Sequence, residues 1–205
     1  MRVLKNQRML AVLMLALAPL SMSAMAEDHS HHHHAIPAQA DGYARTQAAY
    51  TVPDVKLVDA HGAGVLLRRE LAQQDRPLIL NFIFTTCGAV CPVMSATFSQ
   101  LQAALGPERD AVRMLSISID PEEDTPAALK AYAGKYGAGP QWRMLTGSLD
   151  DSIAVQRAFG VYRGDKMNHQ PATFLRAAPG QPWVRLDGFA SADDILREVR
   201  QLRSN

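Results

Sequence analysis

Leu78-Ile79-Leu80-Asn81-Phe82-Ile83-Phe84-Thr85-Thr86-Cys87-Gly88-Ala89-Val90-Cys91-Pro92 is the stretch whose reading decides the fold. From Leu78 to Phe84 every residue but Asn81 is apolar. The run is short and stops at a turn, which predicts a central strand buried on both faces. Beyond Cys91 the period changes, with Met94, Phe98, Leu101 and Leu105 recurring at helical spacing. Pro92 suits the first turn of that helix, where its missing N–H would be unpaired anyway. Gly106-Pro107 ends it. A buried strand that runs straight into a helix is the repeating unit of an α/β sheet.

The same alternation extends outward. Val112 to Ile119 predicts a second central strand. Asp124-Thr125-Pro126 opens a helix with a cap residue and proline at its first position, and Leu129 and Tyr132 carry its apolar face. Trp142 to Leu145 reads as a strand, and Asp150 to Phe159 as a helix closed by Gly160. Thr173–Leu175 and Val184–Leu186 form a hairpin around Pro179-Gly180. Ser191 to Asp194 starts a last amphipathic helix with Ile195, Leu196, Val199 and Leu202 inward. Val55, Leu57 and Val58 predict a short strand before the turn Asp59-Ala60-His61-Gly62. This order predicts an α/β domain over residues 51–205, a central sheet flanked by helices. The late hairpin makes that sheet mixed.

Residues 1–26 have the layout of a secretory signal. Arg2, Lys5 and Arg8 precede the apolar run Met9–Leu20, Pro19 breaks it, and Ala24-Met25-Ala26 offers a small-residue cleavage site. The run is short for a membrane span, and no cysteine follows the cleavage site to carry a lipid anchor. The mature protein is therefore expected outside the cytoplasm, in the periplasm, with no stable membrane span. Residues 27–50 carry His29 and His31–His34, then an Ala/Gln/Pro/Gly stretch with no apolar period. They are expected to be a flexible tail, acting either as an inert spacer or as a site of Cu(II), Ni(II) or Zn(II) capture.

The composition excludes several classes. The chain has 205 residues, and 47% are of hydrophobic type, enough to build a core. A formal net charge of +1, which becomes −2 once Arg2, Lys5 and Arg8 are removed, gives no electrostatic basis for binding nucleic acid. Two cysteines are too few to staple a small disulfide-dependent scaffold. The pair is therefore read chemically.

Cys87 and Cys91 lie where a central strand feeds a helix, the end of an α/β sheet at which sites form. A helix N-terminus carries partial positive charge and free N–H groups, which favour a thiolate. If the turn is helical, a spacing of four puts both sulfurs on one face, close enough to share a metal or to form a disulfide. Two soft thiolates select Cu(I), Zn(II) or similar ions. Structural zinc prefers four protein ligands. Outside the tail only His61 and His169 supply an imidazole. His61 sits in a turn. His169 sits in an irregular stretch just before the Thr173–Leu175 strand, from which it can swing over a neighbouring strand end. Cys87, Cys91 and His169 are thus the candidate copper ligands, for Cu(I) or, with a further group, Cu(II). Met94 reads as core and Met167 as a candidate transfer ligand.

Three blocks in order resemble the Sco/SenC family. They are Phe82–Pro92, then Ser118-Ile119-Asp120-Pro121-Glu122-Glu123-Asp124-Thr125-Pro126, then Asn168-His169-Gln170-Pro171-Ala172-Thr173-Phe174-Leu175. The resemblance covers about residues 52–203 and implies a thioredoxin-like fold with a copper site of two cysteines and a histidine, here Cys87, Cys91 and His169. It further implies a part in assembling the CuA centre of cytochrome c oxidase, as a copper donor, as a reductant of the target's cysteines, or as both. The implied partners are the CuA-bearing subunit or another periplasmic cuproprotein, together with a thiol reductase. Many members have an Asp between the cysteines. Gly88-Ala89-Val90 stands here instead and removes a charge that would oppose thiolate formation.

Three functions follow from the residues. A copper chaperone uses His169. A thiol-disulfide oxidoreductase uses only Cys87 and Cys91 as a redox-active pair, although its usual insert is two residues. A peroxide-reducing protein needs an arginine beside the reactive cysteine, which Arg143, Arg157 or Arg163 would have to supply.

Overall fold

The computed structural model describes residues 42–73 and 76–204. The signal and the histidine run His29–His34 lie outside the described residues. Eight strands form one mixed sheet: β1 (Tyr43–Ala48), β2 (Lys56–Asp59), β3 (Gly64–Leu66), β4 (Leu78–Ile83), β5 (Arg113–Ser118), β6 (Trp142–Thr146), β7 (Ala172–Arg176) and β8 (Trp183–Gly188). They lie in the order β1-β8-β7-β4-β5-β6-β2-β3. β4, β5 and β6 are parallel, and every other pairing is antiparallel. Helices α1 (Leu67–Leu71), α2 (Val90–Leu105), α3 (Pro126–Lys135), α4 (Leu149–Ala158) and α5 (Ala192–Ser204) flank it.

The strand expected from Leu78 is β4, and all six of its residues are buried, as are all six of β5. Both are buried from end to end because helices cover both faces, and their polar members Asn81, Arg113, Ser116 and Ser118 are buried with the rest. The expected hairpin is β7–β8, and β7 pairs with β4, Asn81 opposite Thr173. Phe82, Phe159, Phe174 and Trp183 pack edge to face with ring centroids 5.3–5.9 Å apart, filling the core under the thiol end of β4.

Three elements differ from expectation. Tyr43–Ala48 falls within the stretch read as a tail, yet it is an edge strand on β8. Its sequence, YARTQA, has almost no apolar pattern; Tyr43 alone of the six is buried, and pairing with β8 holds the rest. Gly64–Leu66 and Leu67–Leu71 form β3 and α1. A three-residue strand and a five-residue helix are too short to show a period.

Candidate metal site

Helix α2 begins at Val90, so Cys91 is helical and Cys87 lies in the turn before it. The expected pairing on one helical face therefore takes another form. The turn is closed by the Cys87 N–H donating to the Phe84 carbonyl at 3.2 Å. This folds the Cys87 sulfur back over the start of the helix, where the Cys91 N–H donates to it at 3.3 Å. The Cys91 sulfur points inward and accepts from the Phe84 N–H at 3.4 Å. Both thiols are free, Cys87 half-buried and Cys91 buried.

The two sulfurs are electrostatically unequal. Partial burial pushes the Cys87 thiol up, but the N–H groups of Cys91, Ala89 and Val90 and the Cys91 thiol pull harder, and its net shift is downward from 9.0. Cys91 goes the other way. Burial raises it most, the Phe84 N–H partly offsets that, and the neighbouring Cys87 and the negative charge of Asp124 raise it further. Cys87 is the more readily ionised sulfur, and Cys91 is the one that holds its proton.

Asp124 is fully buried and was read from sequence only as part of a helix start. Thr125 does cap α3, its side-chain oxygen accepting from the Ala128 N–H at 3.2 Å. Asp124 does something else. One carboxylate oxygen accepts from the Thr85 N–H at 2.9 Å and the Thr85 hydroxyl at 2.5 Å. The other accepts from the Ser118 hydroxyl at 2.5 Å. It clamps the start of the cysteine turn to the end of β5. No local pattern announces the clamp, because Thr85 lies 39 residues away in sequence.

His169 lies at the same end of the sheet, just before β7. Its ring stands edge-on to Phe84, centroids 6.2 Å apart, and its Nε2 is 3.1 Å from the Phe82 carbonyl. Burial lowers its pKa, the Phe82 contact partly offsets that, and Arg163 lowers it again. The imidazole is therefore neutral at pH 7, the form a metal needs. Its loop is tied down by Lys166, whose ammonium pairs with Asp120 at 2.5 Å. Among the described residues no group of three His, Cys, Asp or Glu side chains is close enough to hold a metal ion. The structure brings Cys87 and Cys91 together and leaves His169 bonded to the same strand's backbone. The two sulfurs suit a soft cation. A third bond from His169 requires the ring and the sulfurs to draw closer; with its Nε2–H donated to the Phe82 carbonyl, the free lone pair is at Nδ1.

The other candidates separate cleanly. Met94 is core and Met167 is 72% exposed. His61 is exposed in its turn. Arg143 binds Asp59 and Glu70, Arg157 lies over the Tyr162 ring, and Arg163 donates to the Gly160 and Tyr162 carbonyls.

The SCO1/SenC family model matches residues 44–204. The chain belongs to this family. The SCO1 protein homolog of Bacillus subtilis is 32% identical to it over 132 residues, 60% of this chain and 68% of the relative. Among solved structures, BsSco, described as a member of the Sco family of cytochrome c oxidase assembly proteins with a disulfide switch, superposes at TM-score 0.65. It is 28% identical, and the match covers 78% of this chain and 96% of BsSco. ScoI of Bradyrhizobium japonicum, solved with copper bound, gives TM-score 0.60 at 25% identity, covering 72% and 96%. The fold of this SCO1/SenC protein is thioredoxin-like, a mixed sheet with flanking helices. No helix among its described residues is long and apolar enough to cross a membrane.

Proposed function

We propose that this SCO1/SenC protein handles copper for cytochrome c oxidase assembly, as an exported, periplasmic carrier cut free of its signal after Ala26. Cys87 and Cys91 hold the ion as thiolates and His169 is the third ligand. The cargo passes to the CuA-bearing subunit or another periplasmic cuproprotein by stepwise ligand exchange. Copper is cargo here, so its ligands must be easy to leave. The observation that carries this reading is the unequal pair of thiols at the head of α2, beside a neutral imidazole held by a single backbone contact. Cys87 offers the entering thiolate, Cys91 gives up its proton as the ion arrives, and His169 offers the lone pair of Nδ1, the nitrogen that does not donate to the Phe82 carbonyl. The copper-bound relative and the oxidase-assembly role of BsSco support it.

A second reading is favoured by the same inequality. A low-pKa, half-exposed sulfur over a buried one is the arrangement of an attacking and a resolving thiol. Cys87 then attacks the target's disulfide sulfur, Cys91 displaces the target thiolate, and this chain leaves with a Cys87–Cys91 disulfide that a partner reductase must open. The disulfide switch of BsSco supports this alternative.

A copper titration of the reduced mature protein separates the two, with His29 and His31–His34 replaced by alanine so that only the domain reports. Residues 43–48 must stay, because they are a strand. One equivalent of Cu(II) with a sulfur-to-copper charge-transfer band, weakened by His169→Ala, supports the carrier. Absence of stoichiometric binding of either copper ion by folded, reduced protein removes it and leaves the disulfide reaction.

A further inference from the structure

Asp124 does more at the thiol end than tie β4 to β5. Its side chain is fully buried, and among the described residues its partners are the Thr85 N–H, the Thr85 hydroxyl and the Ser118 hydroxyl, with no cation. All three donate. Ser118 Oγ also accepts from the Asp120 N–H at 3.0 Å, which leaves its own proton for the carboxylate. A carboxyl group that only accepts is bonded as the anion. A buried charge without a counter-ion is costly. The clamp does not require that charge, because an asparagine side chain can accept from both Thr85 donors and donate to Ser118 Oγ. The negative charge itself calls for a reason.

The neighbouring backbone supplies one. Phe84 and Thr85 are successive residues. The Phe84 N–H donates to the Cys91 sulfur at 3.4 Å, and the Thr85 N–H donates to Asp124 at 2.9 Å. Adjacent nitrogens thus hold a buried sulfur and a buried anion, and the path between the two is at most about 10 Å. The charge of Asp124 already acts on that sulfur and helps it keep its proton. Other charges at this end count for less. Lys166 and Asp120 pair with each other at 2.5 Å. Glu122, Glu123 and Arg163 are exposed, so water and salt screen them.

Two thiolates and a neutral imidazole around Cu(I) carry one net negative charge, and the same ligands around Cu(II) are neutral. A nearby buried anion opposes the first complex more than the second. At a separation of about 10 Å and an effective dielectric constant of about 20, one unit of charge shifts the balance about tenfold or more. We propose that Asp124 sets the choice of ion: its fixed negative charge tilts the cysteine–histidine site towards Cu(II) and away from Cu(I). The proposal rests on the carrier reading and adds to it a specificity-determining residue outside the three ligands. No electron is moved, because the two ions compete for one site.

The test compares Asp124→Asn with wild type in the reduced mature chain, the histidine run replaced by alanine and the fold checked by circular dichroism. Cu(II) is titrated against glycine and Cu(I) against bicinchoninate, both without oxygen. In Asp124→Asn the ratio of Cu(II) to Cu(I) affinity should fall about tenfold or more, each tenfold being a rise of about 59 mV in the potential of the bound ion. Thr85→Val is the companion variant. It removes one clamp bond and keeps the charge, so it should weaken both ions alike and leave the ratio at its wild-type value. An unchanged ratio in folded Asp124→Asn overturns the proposal. An equally large shift in Thr85→Val also overturns it, since geometry rather than charge would then set the choice, and that arm needs no folded Asp124 variant. A wild-type chain that binds neither ion ends the carrier reading and this proposal together. A wild-type chain that binds copper while Asp124→Asn keeps its ratio ends this proposal alone.

Discussion

The two ends of the central sheet solve the problem of buried polar groups in opposite ways. At the end where β4 and β5 begin, Glu70 is bound by Arg113 and by Arg143 at 2.8 Å, and Arg143 also binds Asp59 at 2.9 Å. Glu70, Arg113, Arg143 and Asp59 are joined there in one ion-pair network, and Arg176 beside them donates to the Leu71 carbonyl. At the end where β4 and β5 stop, Asp124 is satisfied by N–H and O–H donors only, Cys87 by backbone N–H groups, and His169 by one carbonyl. Neutral donors cost little to leave, so these groups stay available to an incoming ion. One ion pair, Lys166–Asp120, fixes the loop at this end, while Cys87 and His169 themselves are held by hydrogen bonds.

This contrast can be broken by substitution. The largest effect is expected at the thiols: Cys87→Ala or Cys91→Ala should abolish stoichiometric copper binding, read by titration with metal analysis. Retention of one tight equivalent in a chain lacking both cysteines and the histidine run would end the carrier reading. Next comes Glu70→Gln, which leaves Arg113 buried without its counter-charge and should cost about 3–5 kcal/mol in urea unfolding. Copper stoichiometry should be unchanged. Loss of copper binding by the folded variant would show that the ends are not independent. Asp124→Ala should cost about 1–3 kcal/mol by stranding the Thr85 and Ser118 donors, and it should also weaken copper binding because the cysteine turn loses its anchor. Loss of stability with copper affinity intact would make Asp124 a purely structural residue.

Smaller effects sharpen the inequality of the thiols. Iodoacetamide at neutral pH should label Cys87 before Cys91, read by peptide mass, because only Cys87 is both accessible and shifted downward. Equal rates would remove the basis for assigning an entering thiolate. The least effect concerns His169. Its folded pKa is below the ordinary 6.5, so below that pH the unfolded chain takes up a proton that the native ring resists. Its stabilisation is complete above 6.5 and is lost as pH falls through the folded value. The wild-type urea midpoint should drop slightly more on acidification than that of His169→Gln.

What the sequence showed, and what it hid, follows the same physical division. Leu78–Phe84, Val112–Ile119 and the helix after Cys91 were readable because burial imposes a pattern on neighbouring residues. The cysteines were readable because strand end, spacing and helix start are all local. β1 was hidden since an edge strand of polar residues is defined by the strand it joins. Asp124, Thr85 and Lys166 were hidden for a related reason: Asp124 meets Thr85 and Lys166 meets Asp120 only after β4, β5 and the His169 loop are in place. His169 was placed from the sequence on the stretch before β7, but its bond to Phe82 is a property of the assembled sheet.

The antiparallel entry of β7 beside β4 sets the order in which the molecule can become competent. The cysteine turn is built from β4 and the head of α2, segments next to each other in the chain, and is anchored by Asp124 some forty residues on. His169 reaches that turn only when β7, made much later, pairs across a long loop of sequence, the slow class of folding event. A chain growing from its amino terminus therefore holds both cysteines long before its imidazole. Docking of β7 marks the moment when the sheet closes around the last candidate ligand.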